Sequence, residues 1–298
     1  MKYLKKIAVT LFSIIFKSVW IFLGWLSDIV FKATKNPAAF EILNVVFNSL
    51  LSSTVTILRT SNTPSLRFSA PGAMARYRAI TALNKEPATI DWLRSVSKQG
   101  VLLDVGCNVG IYSVIFLRFG GLHCHCVDPN FSNMVGLLAN LKLNDVEQRA
   151  TVWPLPLYSG RERVNFCQAS LEIGGALSTV SSSLSPDQFS VGVYSTRVDD
   201  LTSLLPEADF PTALKLDVDG NEIAIIEGAE NTLNDNRLTD VLIEVDDRFC
   251  CGELIKQLMK RFGFFYFGEE VTSNSNDFII SNVFFKKTAL GREMKDSR

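Results

Sequence analysis

Residues 101–116 read VLLDVGCNVGIYSVIF, and this stretch is the most informative part of the chain for its fold class. The apolar run at 101–103 predicts a buried strand that ends at Asp104. Two glycines follow, Gly106 and Gly110, before a helical stretch begins. Such glycines permit a tight turn and close approach to a ligand, and the first N–H groups of the helix point toward the same space. The stretch therefore predicts a strand, a turn and a helix, with a ligand above the turn.

Apolar runs and helical stretches alternate on both sides of this unit. The predicted strands lie at 101–104, 122–127, 150–154, 213–216, 240–245, 264–267 and 278–285, and the predicted helices at 73–98, 111–118, 131–144, 221–234 and 252–262. Such an order is typical of an α/β fold, with a mostly parallel sheet and helices on both faces. Residues 159–210 break the alternation with Gly174-Gly175 and a Ser-rich run, which indicates an insertion.

The second predicted strand ends at Asp128, 18 residues after Gly110. This spacing is close to that of an acid that binds ribose hydroxyls in nucleotide-binding folds. The glycine spacing differs from the G-x-G-x-x-G of dinucleotide sites, so a nucleoside without a pyrophosphate is favoured over a dinucleotide. A dinucleotide-dependent oxidoreductase is therefore disfavoured. Asp104 and Asp128 could instead be ordinary polar strand ends.

Several motifs in this chain resemble those of one family. They are VLLDVGCNVGIYSVIF at 101–116, VDPN at 127–130, KLDVDGNEIAIIEGAENTL at 215–233 and VLIEV at 241–245, with EPATIDWL at 86–93 and STRVDDL at 195–201. In this order they are similar to the FkbM-type SAM-dependent methyltransferases, over about residues 76–285. Two positions depart from the family pattern, because Cys107 replaces the usual Ala and Asp219 replaces the more frequent Glu.

The resemblance implies a Rossmann-like class I methyltransferase fold, with S-adenosyl-L-methionine (SAM) above the carboxyl ends of the strands. It implies that the methionine and ribose side of SAM is bound by Asp104, Gly106, Asn108 and Gly110, and the ribose hydroxyls by Asp128. It also implies O-methylation of a hydroxyl-bearing small molecule, such as a sugar or secondary metabolite, or of a glycan.

A hydroxyl acceptor has to lose a proton, which requires a base or a metal beside the methyl group. The candidates are four carboxyl groups at or near predicted strand ends: Asp217, Asp219, Glu222 and Glu244. Asp219 and Glu222 have the spacing of a capping box and could instead cap a helix. Asp217 precedes that box and is the first choice. Lys215 should share its side of the strand, either as its ionic partner or as an unrelated side chain.

The segment His123-Cys124-His125-Cys126 contains the residue types of a zinc site. In a strand, however, alternation sends both His to one face and both Cys to the other, so four ligands cannot converge. We therefore predict no metal. The six Cys of the chain show no framework spacing, which favours reduced thiols in a cytosolic compartment.

The charge of the chain is unevenly distributed. The net charge is -1, but residues 1–85 contain 11 Lys/Arg and 2 Asp/Glu, a net of +9, which leaves 19 against 29, or -10, for the rest. The near-neutral total predicts no nucleic-acid partner. Residues 7–27 are almost continuously apolar and long enough for a single span, although their polar stripe suits a helix lying in a membrane interface.

These observations predict two regions. Residues 1–70 form an apolar, basic, helical region that either associates with an anionic membrane surface or packs on the body. Residues 71–290 form the methyltransferase domain, with the insertion 159–210, on the cytoplasmic side of the membrane. The alternative to an enzyme is a non-catalytic SAM- or nucleoside-binding module at a membrane, which the four carboxyl groups disfavour.

Overall fold

The computed structural model describes residues 55–60, 63–168, 172–175, 178–181, 189–249, 252–274 and 278–287. The described residues all belong to one compact unit. The apolar segment at 7–27 lies outside the described residues, so its association with a membrane stays a prediction. Within the described ranges, no helix is both long enough and apolar enough to cross a membrane.

The described chain contains strands and short helices in the following order. The strands are β1 (Val55–Thr60), β2 (Thr63–Ser69), β3 (Val101–Val105), β4 (His123–Val127), β5 (Ala150–Trp153), β6 (Arg163–Gln168), β7 (Ser178–Ser181), β8 (Phe189–Tyr194), β9 (Ala213–Leu216), β10 (Asp240–Asp246), β11 (Phe264–Asn274) and β12 (Ile279–Lys287). The helices are α1 (Ala73–Thr81), α2 (Pro87–Val96), α3 (Ile111–Arg118), α4 (Phe131–Leu143), α5 (Val198–Ser203), α6 (Glu222–Glu227), α7 (Glu230–Asn234) and α8 (Gly252–Arg261). Two 3-10 turns lie at Glu147–Arg149 and Glu207–Asp209.

Seven strands form the central sheet, in the order β11-β12-β10-β9-β3-β4-β5. The five strands from β10 to β5 are parallel, while β12 pairs antiparallel with β10 and β11 pairs antiparallel with β12. The prediction of a Rossmann-like α/β fold with a mostly parallel sheet is confirmed. The order reverses between β3 and β9, where a crevice opens outside the strand ends.

Helices cover both faces of this sheet because alternate strand residues point to opposite sides. Leu102 of β3 belongs to one buried cluster with residues of α3 and α4, such as Val114 and Leu137. Leu103 belongs to a second cluster with residues of α6 and α8, such as Ile225 and Ile255. The continuous apolar run at 101–103 thus serves two cores, as expected of a strand buried on both faces.

The prediction of a helical region up to residue 70 is wrong for its last part, since β1 and β2 form an antiparallel hairpin. In β2, the fully buried Leu66 and Phe68 alternate with the exposed Arg67. This period of two is that of a strand with one buried face. Two side-chain amides hold the hairpin, one in α4 and one at its C-cap. Asn140 Oδ1 accepts from Ser69 N at 2.7 Å, and Asn144 Oδ1 accepts from Arg67 N at 3.0 Å.

Three other elements differ from the predicted ones. The helical stretch at 221–234 is divided into α6 and α7. The helical stretch at 73–98 is divided into α1 and α2, and Pro87 begins α2, where its missing N–H costs nothing. Strand β11 is longer than the predicted 264–267 because it pairs with β12 across two irregularities. Its Glu270 also caps α2, since its carboxylate accepts from Ala88 N at 2.8 Å and Thr89 N at 3.1 Å.

The insertion 159–210 contains a small antiparallel sheet, in the order β7-β6-β8, followed by α5. Its ladder hydrogen bonds join these three strands to each other. Phe166, Ser178 and Val180 of this sheet line the cavity described below. The insertion therefore contributes one wall of the candidate site.

The side chains of β4 alternate as predicted. The rings of His123 and His125 have centroids 4.9 Å apart, and the sulfur atoms of Cys124 and Cys126 are 3.6 Å apart. The four cysteines among the described residues, Cys107, Cys124, Cys126 and Cys167, are buried free thiols. The absence of a metal from the protein stays a prediction.

Candidate active site

A cavity of about 340 Å³ lies at the carboxyl ends of β3, β4, β9 and β10. Of the nine residues predicted for the site, six line it: Gly106, Asn108, Asp128, Asp217, Asp219 and Glu244. The other three, Asp104, Gly110 and Glu222, are not among its lining residues. The cavity thus brings together most of the residues predicted to bind the cofactor with three of the four candidate catalytic carboxyl groups.

The loop after β3 is held tightly between its neighbouring strands. Gly106 N and Cys107 N donate to Val127 O at 2.9 and 3.1 Å. Gly106 has a φ of 79°, and a Cβ added there would lie 1.7 Å from Asp217 O. Only glycine permits both this backbone conformation and this close approach. The loop therefore contacts the end of β9 directly.

Asp128 lies at the end of β4 with both carboxylate oxygens engaged. Its Oδ2 accepts from Asn108 N at 2.9 Å and its Oδ1 from Asn130 N at 2.8 Å. Burial raises the pKa of Asp128 to about 6, although these backbone hydrogen bonds oppose the shift. The group is mainly ionised at pH 7. The side chain of Asn133 also donates to it, so about one of its four acceptor positions remains. That position can accept a hydrogen bond from a hydroxyl of a ribose.

Asp104 and Gly110 support the loop from outside the cavity wall. Oδ2 of Asp104 accepts from Ser113 Oγ at 2.5 Å, and burial raises the pKa of this carboxyl to about 6. Gly110 is the N-cap of α3 with a φ of 73°, and an added Cβ would lie 2.2 Å from Leu137 Cδ1. These positions allow α3 to begin directly after the loop and to pack against α4.

Asp217 and Lys215 form an ion pair at the end of β9. Lys215 Nζ donates to Asp217 Oδ2 at 2.7 Å, and the exposed fractions of the two side chains are 2% and 29%. Burial opposes the charge of Lys215, but the negative charges of Asp217 and Asp104 outweigh it and raise the pKa of Lys215. Burial would likewise raise the pKa of Asp217, but Lys215 lowers it below its ordinary value. Lys215 thus keeps Asp217 ionised.

Glu244 of β10 is a protonated carboxylic acid that pairs with the ionised carboxylate of Asp217. Burial and then the negative charge of Asp217 raise the pKa of Glu244 to about 9, and the two carboxyl groups share a hydrogen bond. At neutral pH the protonated Glu244 donates to the ionised Asp217, since two adjacent carboxylates repel each other. The pair is therefore arranged to accept one proton from a group in the cavity.

The Glu244→Gln variant is expected to respond to pH differently from the wild type. Glu244 titrates near 4.5 in the unfolded chain and near 9 in the folded one, so folding takes up a proton between these values. The free energy of unfolding of the wild type therefore falls as the pH rises through this window. Glutamine resembles the protonated group and does not titrate. The stability of the variant relative to the wild type should increase from about pH 5 to about pH 9.

Urea denaturation of both proteins at about pH 5, 7 and 9 measures this difference. The remaining buried carboxyl groups are present in both proteins, so their titration largely cancels in the comparison. A difference in stability that does not change with pH would show that Glu244 is ionised across this range.

Asp219 and Glu222 do not form the capping box that their spacing in the sequence allows. Helix α6 begins at Glu222, and its N-cap is Asn221 rather than Asp219. Asp219 has a φ of 55° and lines the cavity. Glu222 Oε1 accepts from Gly220 N at 3.2 Å and Val218 N at 3.4 Å, and burial raises its pKa to about 7. Glu222 therefore holds the turn after β9 in place.

A second polar cluster on the cavity wall was missed in the sequence. Glu86 is buried and accepts from Lys85 Nζ at 2.6 Å, from Tyr112 Oη at 2.6 Å and from Asn282 Nδ2 at 3.0 Å. The ammonium group of Lys215 also lies 5.0 Å from the ring centroid of Tyr112. The one signal in the sequence was the quoted motif that begins at Glu86. The cluster connects α2, α3 and β12 behind the candidate base.

Residues 104–266 of the chain match the model of the methyltransferase FkbM domain, which is more than half of its 298 residues. The chain belongs to the FkbM methyltransferase family. This member of the FkbM family is thus a SAM-dependent methyltransferase. Its cofactor is SAM, which supplies an electrophilic methyl group. Among curated proteins, no sequence matches the chain.

Solved structures with related architecture have low sequence identity to this FkbM methyltransferase. A protein of the NADB-Rossmann superfamily from Streptococcus agalactiae is 11% identical, with 67% of each chain covered and a TM-score of 0.41. A tRNA m1G37 methyltransferase from M. jannaschii is 12% identical, with 79% of this chain and 55% of that chain covered and a TM-score of 0.46. TYW2 from M. jannaschii, solved with AdoMet, is 9% identical, with 79% and 87% covered and a TM-score of 0.38.

The prediction that nucleic acid is excluded as a partner is wrong. It rested on the net charge of -1. A tRNA m1G37 methyltransferase and aTrm5 in complex with tRNALeu are among the solved structures with a related fold, which is a likeness of fold alone. Net charge sums over the whole chain and does not report the potential of a local surface. It therefore cannot exclude a class of partner.

The Asp128→Ala variant of the FkbM methyltransferase is expected to bind SAM more weakly by about 1.5–3 kcal/mol, or roughly 10- to 150-fold in Kd. We assign Asp128 to the ribose hydroxyls, which would lose a charged acceptor. Calorimetric titration with SAM measures the effect, and circular dichroism confirms the fold. Asp91→Ala, at an exposed position on α2, is the matched control. An unchanged Kd for Asp128→Ala would place the ribose elsewhere.

Proposed function

We propose that this FkbM methyltransferase transfers the methyl group of SAM to a hydroxyl oxygen of a sugar, a glycan or a secondary metabolite. The observation that carries the proposal is the pair of Asp217 and Glu244 on the cavity wall. A hydroxyl must lose its proton as its oxygen attacks carbon, and a positioned carboxylate can take that proton.

The charges around Asp217 support this role. Lys215 keeps the carboxylate ionised from the buried side, while Glu244 donates to it from the neighbouring strand. A carboxylate oxygen that is not occupied by Lys215 can accept a hydrogen bond from an acceptor hydroxyl. This contact would orient the oxygen toward the methyl group. Because methyl transfer is an in-line displacement, such positioning supplies much of the rate.

The rest of the cavity suits an acceptor with several hydroxyl groups. Thr272 and Ser273 of β11 and Asp219 supply polar groups that can bind hydroxyls, while Phe166 and Val180 of the insertion supply an apolar wall. A sugar ring has hydroxyls at its edge and apolar C–H faces, so it can use both kinds of surface.

Incubation of the full chain with SAM labelled in its methyl group tests the proposal. The acceptors are separate pools of sugars, glycans and secondary metabolites, and mass spectrometry identifies the labelled atom. We expect label in an O-methyl ether, with release of S-adenosylhomocysteine. The Asp91→Asn protein should act like the wild type. Label on a nitrogen or carbon atom, with none on oxygen, would contradict O-methylation.

A further inference from the structure

Arg78 lies on the cavity wall, in the last turn of α1. Its Nε donates to Gly174 O at 2.7 Å. The same turn is held by Asn108 Nδ2, which donates to Gly175 O at 2.7 Å, and by Asn133 Oδ1, which accepts from Gly174 N at 3.0 Å. The guanidinium group is thus fixed at Nε in a turn that three cavity-lining residues support. Its four N–H groups at Nη1 and Nη2 remain for other partners.

Among the described residues, Arg78 forms no direct ion pair with a carboxylate. The other cavity-lining cations form ion pairs, Lys85 with Glu86 and Arg248 with Asp246. Among the residues that the structure describes, Arg78 alone of the cavity-lining cations has no carboxylate within 4.0 Å. A fixed and uncompensated guanidinium on a cavity wall is a binding group for an anion.

The charge of Arg78 also interacts with two carboxyl groups of the cavity wall, Asp128 and Asp217. Its positive charge opposes the rise in the pKa of Asp128, which we assign to the ribose. It also contributes to lowering the pKa of Asp217, the candidate base. Arg78 lines the same cavity as both carboxyl groups, so an anion bound there would lie in the space that holds the nucleoside and the reacting groups. In SAM, the methionine part extends from the sulfur atom that joins these two positions.

The charges of SAM complete the assignment. SAM carries a sulfonium, an ammonium and a single carboxylate. The cavity wall offers several acidic side chains to the two cationic groups: Glu86, Asp128, Asp217, Asp219 and Glu244. Its one unpaired cation is left for the carboxylate. We propose that Arg78 binds the methionine carboxylate of SAM, with a guanidinium fork that matches the two carboxylate oxygens.

Binding of two ligands to the full chain tests this proposal without any methyl transfer. S-adenosylhomocysteine and 5′-methylthioadenosine share the adenosine and a neutral sulfur, but only the first has the amino-acid carboxylate. In the Arg78→Gln variant we expect the Kd for S-adenosylhomocysteine to rise roughly 10- to 100-fold. The Kd for 5′-methylthioadenosine should stay within about twofold. Arg76→Gln, at an exposed position of α1, should change neither.

Two results would overturn the proposal. An equal loss of affinity for both ligands would mean that Arg78 only holds the Gly174 turn. Unchanged affinity for S-adenosylhomocysteine would mean that the guanidinium serves another anion, such as one on the acceptor. Should the Gln variant fail to fold, Arg78→Lys serves the same comparison. It retains the charge but not the fork, and an intermediate loss confined to S-adenosylhomocysteine is expected.

Discussion

The Asp217→Asn variant is expected to bind SAM within a few-fold of the wild type but to transfer methyl groups at least about 100-fold more slowly. Asparagine has nearly the same shape as aspartate, but it cannot take the proton of the acceptor hydroxyl. It also removes the negative charge that is paired with Lys215 at 2.7 Å. Labelled methyl transfer to the identified acceptor gives the rate, and calorimetry gives the Kd for SAM.

The change also leaves Lys215 buried without its main partner, which destabilises the fold. The double variant Lys215→Met/Asp217→Asn separates this effect from chemistry, because it removes both members of the ion pair. We expect the double variant to regain stability without regaining turnover. Wild-type turnover in either protein would exclude Asp217 as the base and leave it a structural partner of Lys215.

The Gly106→Ala variant is expected to lose roughly 2–5 kcal/mol of folding stability. Its φ of 79° is unfavourable for alanine, and the added Cβ would lie 1.7 Å from Asp217 O. Relief of this clash must move either the loop after β3 or the end of β9. Folded Gly106→Ala protein should therefore lose both SAM affinity and turnover.

Gly120→Ala is the matched control for the backbone effect. Gly120 has a φ of 107°, but a Cβ added there meets nothing within 4 Å. The Gly120→Ala variant should lose only about 1 kcal/mol of folding stability, because its strained backbone is the only cost. Denaturation of the two variants by urea compares them directly. Equal losses would show that the contact with Asp217 O adds nothing to the cost at Gly106.

The central sheet could be predicted from the sequence because its strands are short apolar runs separated by amphipathic helices. The hairpin of β1 and β2 was missed because β1 continues an apolar stretch that was interpreted as helical. Its partners, Asn140 and Asn144, lie more than 70 residues away in the chain. Local patterns do not contain such a contact.

The candidate site could be predicted only in part, for a similar reason. Carboxyl groups at the ends of parallel strands converge at one edge of a sheet, which explains Asp128, Asp217 and Glu244. The cluster around Glu86 depends instead on Asn282, which is 196 residues away. The capping hypothesis for Asp219 failed because the chain takes a left-handed residue there before α6 begins.

The small sheet of β6, β7 and β8 has a consequence for how this enzyme could be re-engineered. Its backbone ladders join only β6, β7 and β8 to each other. Residues can therefore be exchanged there without breaking a pairing in the seven-stranded sheet. Phe166 and Val180 line the cavity from this small sheet, which a hydrogen bond of 2.7 Å between the side chains of Thr179 and Asn221 joins to the turn after β9. Libraries randomised at these two positions would sample new acceptors while the donor pocket stays intact. Selectivity for the acceptor and affinity for SAM can thus be evolved in separate rounds.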